Sequence, residues 1–132
     1  IFNEEVVEIF LDDDCDLTTY IELEVSPLNT LLHYSIHNRE GRRAAFARVE
    51  KMVVSAVQVR QEDNVWTVEM AIPFSEFLTA SNIPPKPGDK WRMNLYRIDR
   101  PRDGRDEYSA WQPTGKVDYH MPEKFGELVF SI

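Results

Sequence analysis

Aromatic and polar side chains that could hold a sugar are concentrated in the last quarter of the chain. Trp111 is followed by Gln112 and Pro113, and Tyr119 and His120 begin a second polar stretch that leads into a strand-like segment. A pyranose ring has apolar C–H faces that stack on aromatic rings, and its hydroxyl groups need donors and acceptors at the rim. This pattern favours a carbohydrate ligand over a nucleotide or a lipid.

The carboxylate of Glu8 is the main candidate for a polar contact with such a ligand. Glu8 lies between Val6 and Phe10 on one face of an alternating segment, so its side chain, which only accepts hydrogen bonds when ionised, is predicted to be partly desolvated. Two interpretations stay open. Glu8 either accepts hydrogen bonds from sugar hydroxyls or pairs with an arginine inside the sheet.

Several aromatic rings are candidates for stacking on a sugar. Phe2 and Trp111 are the two that we expect at a site, although core packing remains an alternative for Phe2. Trp66 and Trp91 lie on apolar faces of predicted strands, which places them in the core.

Two cationic or titratable side chains interrupt otherwise regular patterns. Arg97 ends the apolar face formed by Trp91 and Met93, so its guanidinium either pairs with an internal carboxylate or reaches a ligand. His120 either binds a ligand or fixes its own loop. The three histidines lack the spacing of a zinc site.

The acidic run at residues 12–16 has oxygen ligands of the kind that calcium prefers, but it lacks the glycine and the final glutamate of an EF-hand loop. We therefore expect a solvated turn there and no cofactor, with structural calcium as the alternative. Cys15 has no second cysteine with which to form a disulfide bond.

Composition limits the class of protein and the class of partner. The chain has 132 residues, of which 42% are hydrophobic, which suits one domain with a core of ordinary size. Its formal net charge of −8 argues against nucleic acid and anionic membranes as partners. No segment approaches the ~20 apolar residues of a membrane span. The chain opens at Ile1 without a methionine, so we expect its native start to lie further upstream.

Alternation of apolar and polar residues predicts many short strands. It is clear at residues 6–11, 19–25 and 65–72, whereas residues 38–51 are predicted to form a long polar excursion. Pro73 precedes the only predicted helix, Phe74 to Ala80. Because no crossover helices are available for parallel strands, these elements predict an all-β, antiparallel sandwich with one short helix.

Five segments occur in an order that resembles a known family. They are the strand at 6–11, the strand and proline at 66–73, the Pro-Gly-Asp turn and strand at 87–97, the Ser-Ala-Trp-Gln-Pro segment at 109–113 and the His-Met-Pro-Glu-Lys-Phe-Gly segment at 120–126. Together they span nearly the whole chain. The set resembles the family 9 carbohydrate-binding modules and their relatives in the DOMON-like group of β-sandwich domains.

The resemblance implies an immunoglobulin-like or jelly-roll β-sandwich that binds a mono- or oligosaccharide without cleaving it. The better-known members of the family bind the ends of glycan chains between two aromatic rings, and members are often attached to xylanases or other secreted hydrolases. The resemblance therefore implies a secreted, periplasmic or cell-surface bacterial protein, with a catalytic domain as a further partner in the same chain.

Motif positions of the family carry over to particular residues. Phe2 stands where the first stacking ring is expected, and Glu8 matches the acidic residue of the first strand. Asn94, Arg97 and Trp111 match further motif positions, and the second ring is either Trp111 or Tyr119.

Two departures from the family accompany these matches. The upstream strands of the family are missing from residues 1–132, and phenylalanine replaces tryptophan at position 2, which would weaken sugar stacking. The alternatives to sugar binding are a structural module with no sugar affinity and a small glycoside hydrolase that uses Glu8 with Glu22 or Glu69.

Overall fold

A computed structural model describes residues 5–48 and 52–131, and this part of the chain is built almost entirely of antiparallel strands. Two 3-10 helices accompany the strands, at Phe74–Glu76 and Pro122–Lys124. The nine strands are β1 (Val6–Asp12), β2 (Thr19–Val25), β3 (Leu31–Arg39), β4 (Arg42–Ala47), β5 (Val54–Arg60), β6 (Val65–Ala71), β7 (Lys90–Asp99), β8 (Glu107–Ala110) and β9 (Gly126–Val129). The predicted all-β, antiparallel sandwich is confirmed.

Seven strands form one sheet in the order β4-β3-β2-β1-β7-β8, and β9 pairs with the other half of β7. The hairpin of β5 and β6 forms the second sheet. Met70 and Ile72 pack against the buried cluster that contains Leu11, Leu23 and Trp91, so the hairpin covers one face of the large sheet. Trp91 is in the core as predicted, whereas Trp66 is half-buried.

The opposite face of the large sheet carries a second, aromatic cluster. Phe10, Tyr20, Ile36, Tyr96 and Phe125 form it and are almost fully buried. Because side chains alternate along a strand, this face also carries every second residue next to these positions. The aromatic cluster therefore shares its face with polar residues of β1 and β2.

The turn between β3 and β4 shows why these strands pair closely. Glu40 and Gly41 both have positive φ angles, 52° and 77°. A two-residue hairpin turn needs such angles at both positions, and glycine adopts them without steric cost. The turn thus sets the register that pairs Arg39 with Arg42.

Two predictions about local structure differ from what the structure shows: one segment is a strand and not an excursion, and the predicted helix is shorter than expected. Residues 42–47, predicted to lie in a polar excursion, form the edge strand β4, whose residues are all exposed. An edge strand without a buried face shows no alternation, so the pattern gave no signal. In place of the predicted helix at residues 74–80, the structure has a 3-10 helix at Phe74–Glu76, because only Phe77 of the apolar stripe is buried while Leu78 is 78% exposed.

In the described part of the chain, no helix has the length and apolar character needed to cross a bilayer.

Candidate functional site

An open cavity of about 260 Å³ lies on the face of the large sheet that carries the aromatic cluster. Strands β1 and β2 supply three glutamates to it, and β7, β8 and the loop after β8 supply the remaining walls. The lining residues are Glu8, Glu22, Glu24, Ile98, Tyr108, Val117, Asp118, Tyr119 and His120. The cavity thus combines aromatic surface with acidic groups.

Aromatic packing fixes the position of Tyr119 in this cavity. Its ring stacks on Tyr96 with a centroid distance of 4.0 Å and an interplanar angle of 17°, and Tyr96 in turn contacts Phe10 at 4.8 Å. The Tyr119 hydroxyl donates to the carbonyl oxygen of Arg97 at 2.9 Å. The ring is therefore held at both its face and its hydroxyl end.

Strand register brings Glu8, Glu22 and Glu24 together, and we call these three residues the glutamate cluster. Glu8 pairs directly with Glu24, and Glu22 lies opposite Phe10, the next residue on the same face of β1 as Glu8. One carboxylate oxygen from each glutamate lies within 4.8 Å of the others, and the three residues are only 6–7% exposed. Glu8 makes no hydrogen bond with any described residue, although it lines an open cavity.

Burial of like charges changes the protonation of this cluster. Burial raises the pKa of Glu8 to about 8, and the nearby charge of Glu24 adds to the shift. Burial likewise raises the pKa of Glu22 to about 9, with further contributions from Glu24 and Glu8 and a small opposing effect of Arg43. Both carboxyl groups therefore keep their protons at neutral pH in the ligand-free protein.

His120 both fixes its loop and borders the cavity. Its Nδ1 atom is hydrogen-bonded to the Tyr20 hydroxyl at 2.8 Å, and its carbonyl oxygen accepts a hydrogen bond from Asn38. Its Nε2 atom lies 3.8 Å from Oε2 of Glu22. Burial lowers the pKa of His120 to about 4, so the imidazole is neutral at pH 7 and brings no positive charge to the cavity.

The structure brings together three of the residues proposed from sequence and separates three others from them. Glu8, Tyr119 and His120 line the same cavity. Asn94 is fully buried, and its side-chain amide exchanges two hydrogen bonds of 2.9 Å with the backbone of Gln112. That arrangement ties the end of β8 to β7.

Arg97 and Trp111 lie elsewhere. Arg97 is paired in register with Val7, which points to the face opposite Glu8, and its guanidinium contacts Asp99 at 3.0 Å beside Trp66 in a separate cavity of about 250 Å³. Trp111 is 50% exposed and borders none of the cavities described here.

Gly126 explains how Trp111 is held. A Cβ atom at position 126 would approach the indole to 2.6 Å, so the ring lies directly against the glycine backbone. The role of Phe2 stays a prediction, because this residue is outside the described part of the chain.

Sequence reasoning missed Glu24, Tyr108 and Asp118 as site residues, and it considered Glu22 only as a hydrolytic partner of Glu8. The alternation in β2 did place Glu22 and Glu24 on the face opposite Leu23. That signal could have found both residues, but their meeting with Glu8 depends on the pairing of β1 with β2.

A second set of carboxylates follows β1, and the expectation of a fully solvated turn is wrong for part of it. Asp12 is completely buried and Asp13 is 7% exposed. Asp13 accepts a hydrogen bond from the backbone of Thr79, which joins the turn to the segment after the first 3-10 helix.

Asp12, Asp14 and Asp16 form what we call the aspartate cluster, whose oxygens also lie within 4.8 Å of one another. Carboxylates of this kind are suitable ligands for calcium. Part of their acceptor capacity is met inside the loop: Asp12 accepts from Leu17 N–H at 2.9 Å, Asp14 from Asp16 N–H, and Asp16 from two backbone groups and the Thr19 hydroxyl. Oδ1 of Asp12 is buried and has no hydrogen-bond partner among the described residues. The loop therefore closes largely through its own backbone.

Comparisons with known proteins agree with this architecture. The sequence profile of carbohydrate-binding family 9 matches residues 1–130. A protein of Arthroderma benhamiae, described as an extracellular protein, is 28% identical in an alignment of 142 positions that covers 98% of this chain and 62% of that protein. The crystal structure of a proposed carbohydrate-binding protein from Bacteroides uniformis superposes with a TM-score of 0.74 at 23% identity, over 99% of this chain and 63% of that one. The chain thus spans less than two thirds of the length of either protein, and the structural likeness shows a shared fold.

Proposed function

Since the chain belongs to carbohydrate-binding family 9, we propose that it binds a mono- or oligosaccharide without cleaving it, in the cavity lined by Glu8, Tyr108 and Tyr119. The presence of aromatic rings and buried carboxyl groups in one open cavity carries this proposal. Aromatic faces suit the C–H surface of a sugar ring, and carboxyl groups suit its hydroxyls.

The size of the cavity suits one sugar ring. Its volume of about 260 Å³ is below the ~300–1,000 Å³ of sites for drug-sized ligands. A neighbouring cavity of about 420 Å³ shares Tyr108, Val117 and Tyr119 with it. The shared walls support a site in which one ring of a glycan enters the first cavity while the next ring lies in the second.

The arrangement of carboxylates favours binding over hydrolysis. A glycosidase places two carboxyl groups on either side of the scissile bond, ~5–5.5 Å or ~6.5–9.5 Å apart. Glu8, Glu22 and Glu24 are close enough for the shorter spacing, but all three project from the same face of two adjacent strands. They therefore approach a ligand from one side, which supports a non-catalytic role.

The setting of the domain is also part of the proposal. The Arthroderma benhamiae relative is described as extracellular, which supports action outside the cell. Recognition of glycan chain ends and attachment to a secreted polysaccharide-degrading protein follow from the family resemblance. A comparison of the affinities for reducing-end-labelled and unlabelled oligosaccharides would test the recognition of glycan chain ends.

Isothermal titration with a panel of mono- and oligosaccharides, including cello- and xylo-oligosaccharides, tests the proposed function. Tyr108 is 42% exposed on β8, so Tyr108→Ala should leave the fold intact. We expect this change to weaken binding about 2- to 13-fold, because a stacked aromatic contact contributes ~0.5–1.5 kcal/mol.

Trp111→Ala is the matched control. Trp111 is similarly exposed but borders none of the described cavities, so its removal should change affinity little. A larger loss of affinity in Trp111→Ala than in Tyr108→Ala would show that the sugar binds at Trp111, as the sequence predicts, and not in the cavity. Absence of binding to every glycan at millimolar concentration would contradict the proposed function itself.

A further inference from the structure

We propose that the cavity selects a sugar with a free amino group, and that the ammonium group lies between the carboxylates of Glu8, Glu22 and Glu24. This inference rests on the proposed function, because it assigns a ligand class to the same cavity. It is carried by the balance of donors and acceptors on the cavity wall and by the geometry of the glutamate cluster.

The cavity is rich in acceptors, and no lysine or arginine among the described residues lines it. The Tyr119 hydroxyl is already committed to the carbonyl oxygen of Arg97, and Nδ1 of His120 is committed to Tyr20. The Tyr108 hydroxyl and the protons of Glu8 and Glu22 are the donors that remain, and a ligand that displaces those two protons must supply donors in their place; an ammonium group brings three.

The geometry of the glutamate cluster matches an ammonium group. Three carboxylate oxygens, one from each glutamate, lie within 4.8 Å of one another, so a single nitrogen placed among them can donate one hydrogen bond to each. A sugar hydroxyl has one donor and can satisfy only one of them. Glu8 is 93% buried and has no hydrogen-bond partner among the described residues, so it is available for this contact.

Charge favours the same ligand. The ionisable groups that line the cavity are the three glutamates, Asp118, Tyr108, Tyr119 and His120. Arg43, exposed on β4, is the cation whose charge acts on Glu22 and His120, but it forms no ion pair with the cluster. Protons on Glu8 and Glu22 limit the repulsion in the ligand-free protein, and a bound ammonium would replace them.

A calcium ion is the main competing occupant, and the surroundings fit it less well. Calcium takes six to eight oxygen ligands, commonly including backbone carbonyls. Around the cluster, β1 and β2 are paired on both sides in the large sheet, which occupies their carbonyl groups. The apolar walls at Ile98, Tyr108 and Val117 offer contact area to a sugar ring and none to an ion.

Calorimetry with matched sugars tests the inference. The probes are glucosamine, galactosamine and mannosamine, each compared with its parent neutral sugar and its N-acetylated form, at about pH 6.5, where an amine is protonated. We expect at least one amino sugar to bind about tenfold or more tightly than both of its partners. We also expect proton release, seen as a binding enthalpy that changes with the ionisation heat of the buffer.

Variants locate the contact. Glu8→Gln and Glu24→Gln keep the side-chain shape and should reduce the preference for the amino sugar to less than about threefold. Glu69→Gln is the matched control, because Glu69 is exposed on β6 in the other sheet; it should leave the preference unchanged. Circular dichroism of each variant confirms that the fold is retained.

The possible outcomes separate this inference from the proposed function. Equal or tighter binding of the neutral sugars without proton release would overturn the inference and leave the proposed function standing. Binding of calcium chloride that is abolished by Glu8→Gln, with no preference for amines, would also overturn it. If no glycan binds, charged or neutral, both the proposed function and the inference are contradicted.

Discussion

Two carboxylate clusters lie on β1, β2 and the loop between them, and they differ in the number of hydrogen bonds that their members accept. The aspartate cluster lies where β1 ends and the loop to β2 begins, and Asp16 alone accepts three hydrogen bonds there. The glutamate cluster lies in the middle of the strands, where Glu8 accepts none from described residues. A loop leaves backbone N–H groups free for side chains, whereas a paired strand uses them in the ladder.

The pKa values follow this difference. Burial raises the pKa of Asp16, but hydrogen bonds from Thr19 and Thr18 outweigh it, so the pKa lies below its ordinary value. The pKa values of Glu8 and Glu22 rise to about 8 and about 9, because burial meets no such donors. The ionised Asp16 therefore stabilises the fold, whereas Glu8 and Glu22 lack such donors and can accept hydrogen bonds from a ligand.

The largest predicted effect is a loss of stability at alkaline pH. Glu8 and Glu22 bind protons more tightly in the folded than in the unfolded state, so the stability that they contribute is lost as pH rises through about 8 and 9. His120 has a lowered pKa, and its contribution is complete above about 6.5. We expect the free energy of unfolding to fall by about 2–4 kcal/mol between about pH 7 and 9.

Urea titrations at several pH values would measure this change in the ligand-free protein. The double variant Glu8→Gln, Glu22→Gln should flatten the curve over the same interval. A wild-type stability that is constant from about pH 7 to 9 would show that the glutamate cluster is not desolvated in solution.

The second prediction concerns the aspartate cluster. Asp16→Ala removes the acceptor of the Thr18 and Thr19 backbone groups and of the Thr19 hydroxyl. We expect the free energy of unfolding at pH 7 to fall by about 1–3 kcal/mol, because three donors lose their partner. Asp16→Asn keeps one acceptor oxygen and should lose less; equal losses in both variants would point to charge and not to hydrogen bonding.

The third prediction isolates Glu8. Glu8→Gln should raise the free energy of unfolding by about 2–3 kcal/mol more at about pH 9 than at about pH 6, because the unfolded carboxyl group is ionised at both pH values whereas the folded one loses its proton as pH rises through about 8. Thermal unfolding at the two pH values provides the measurement. Destabilisation at both would mean that Glu8 has a structural partner, which is the alternative that the sequence left open.

The smallest predicted effect tests repulsion within the aspartate cluster. Burial raises the pKa of Asp12 to about 6, and the neighbouring carboxylates of Asp14 and Asp16 add to the shift. Asp14→Asn removes one of these charges while its side-chain oxygen can still accept from Asp16 N–H. We expect a gain of about 0.5 kcal/mol in denaturant titrations, and a loss would show that the Asp14 charge is needed by the loop.

Local patterns predicted the strands more fully than they predicted the site. Alternation identified β1, β2, β6 and the strand face that carries Glu8, because apolar residues recur at every second position along these strands. It failed at β4, which has no buried face, and at residues 74–80, where the apolar spacing of a helix arises in a short 3-10 turn.

Sequence patterns also did not show which aromatic ring reaches the cavity. The sequence favoured Trp111 as a stacking ring because it lies among turn residues, yet the indole rests against Gly126. Tyr119, the alternative ring, reaches the cavity because it stacks on Tyr96. Neither contact has a signature in the order of residues near 111 or 119.

The amino-acid order alone establishes that Glu8, Glu22 and Glu24 each point away from the apolar side of their strands, since alternation is a property of a single extended segment. Only the folded chain brings them within 4.8 Å of one another, because pairing of β1 with β2 aligns Glu8 with Glu24. Contacts over long separations complete the cavity, such as that between Tyr20 and His120, which are 100 positions apart. The site is thus decided by register and packing between distant segments, which the pattern of any one segment does not contain.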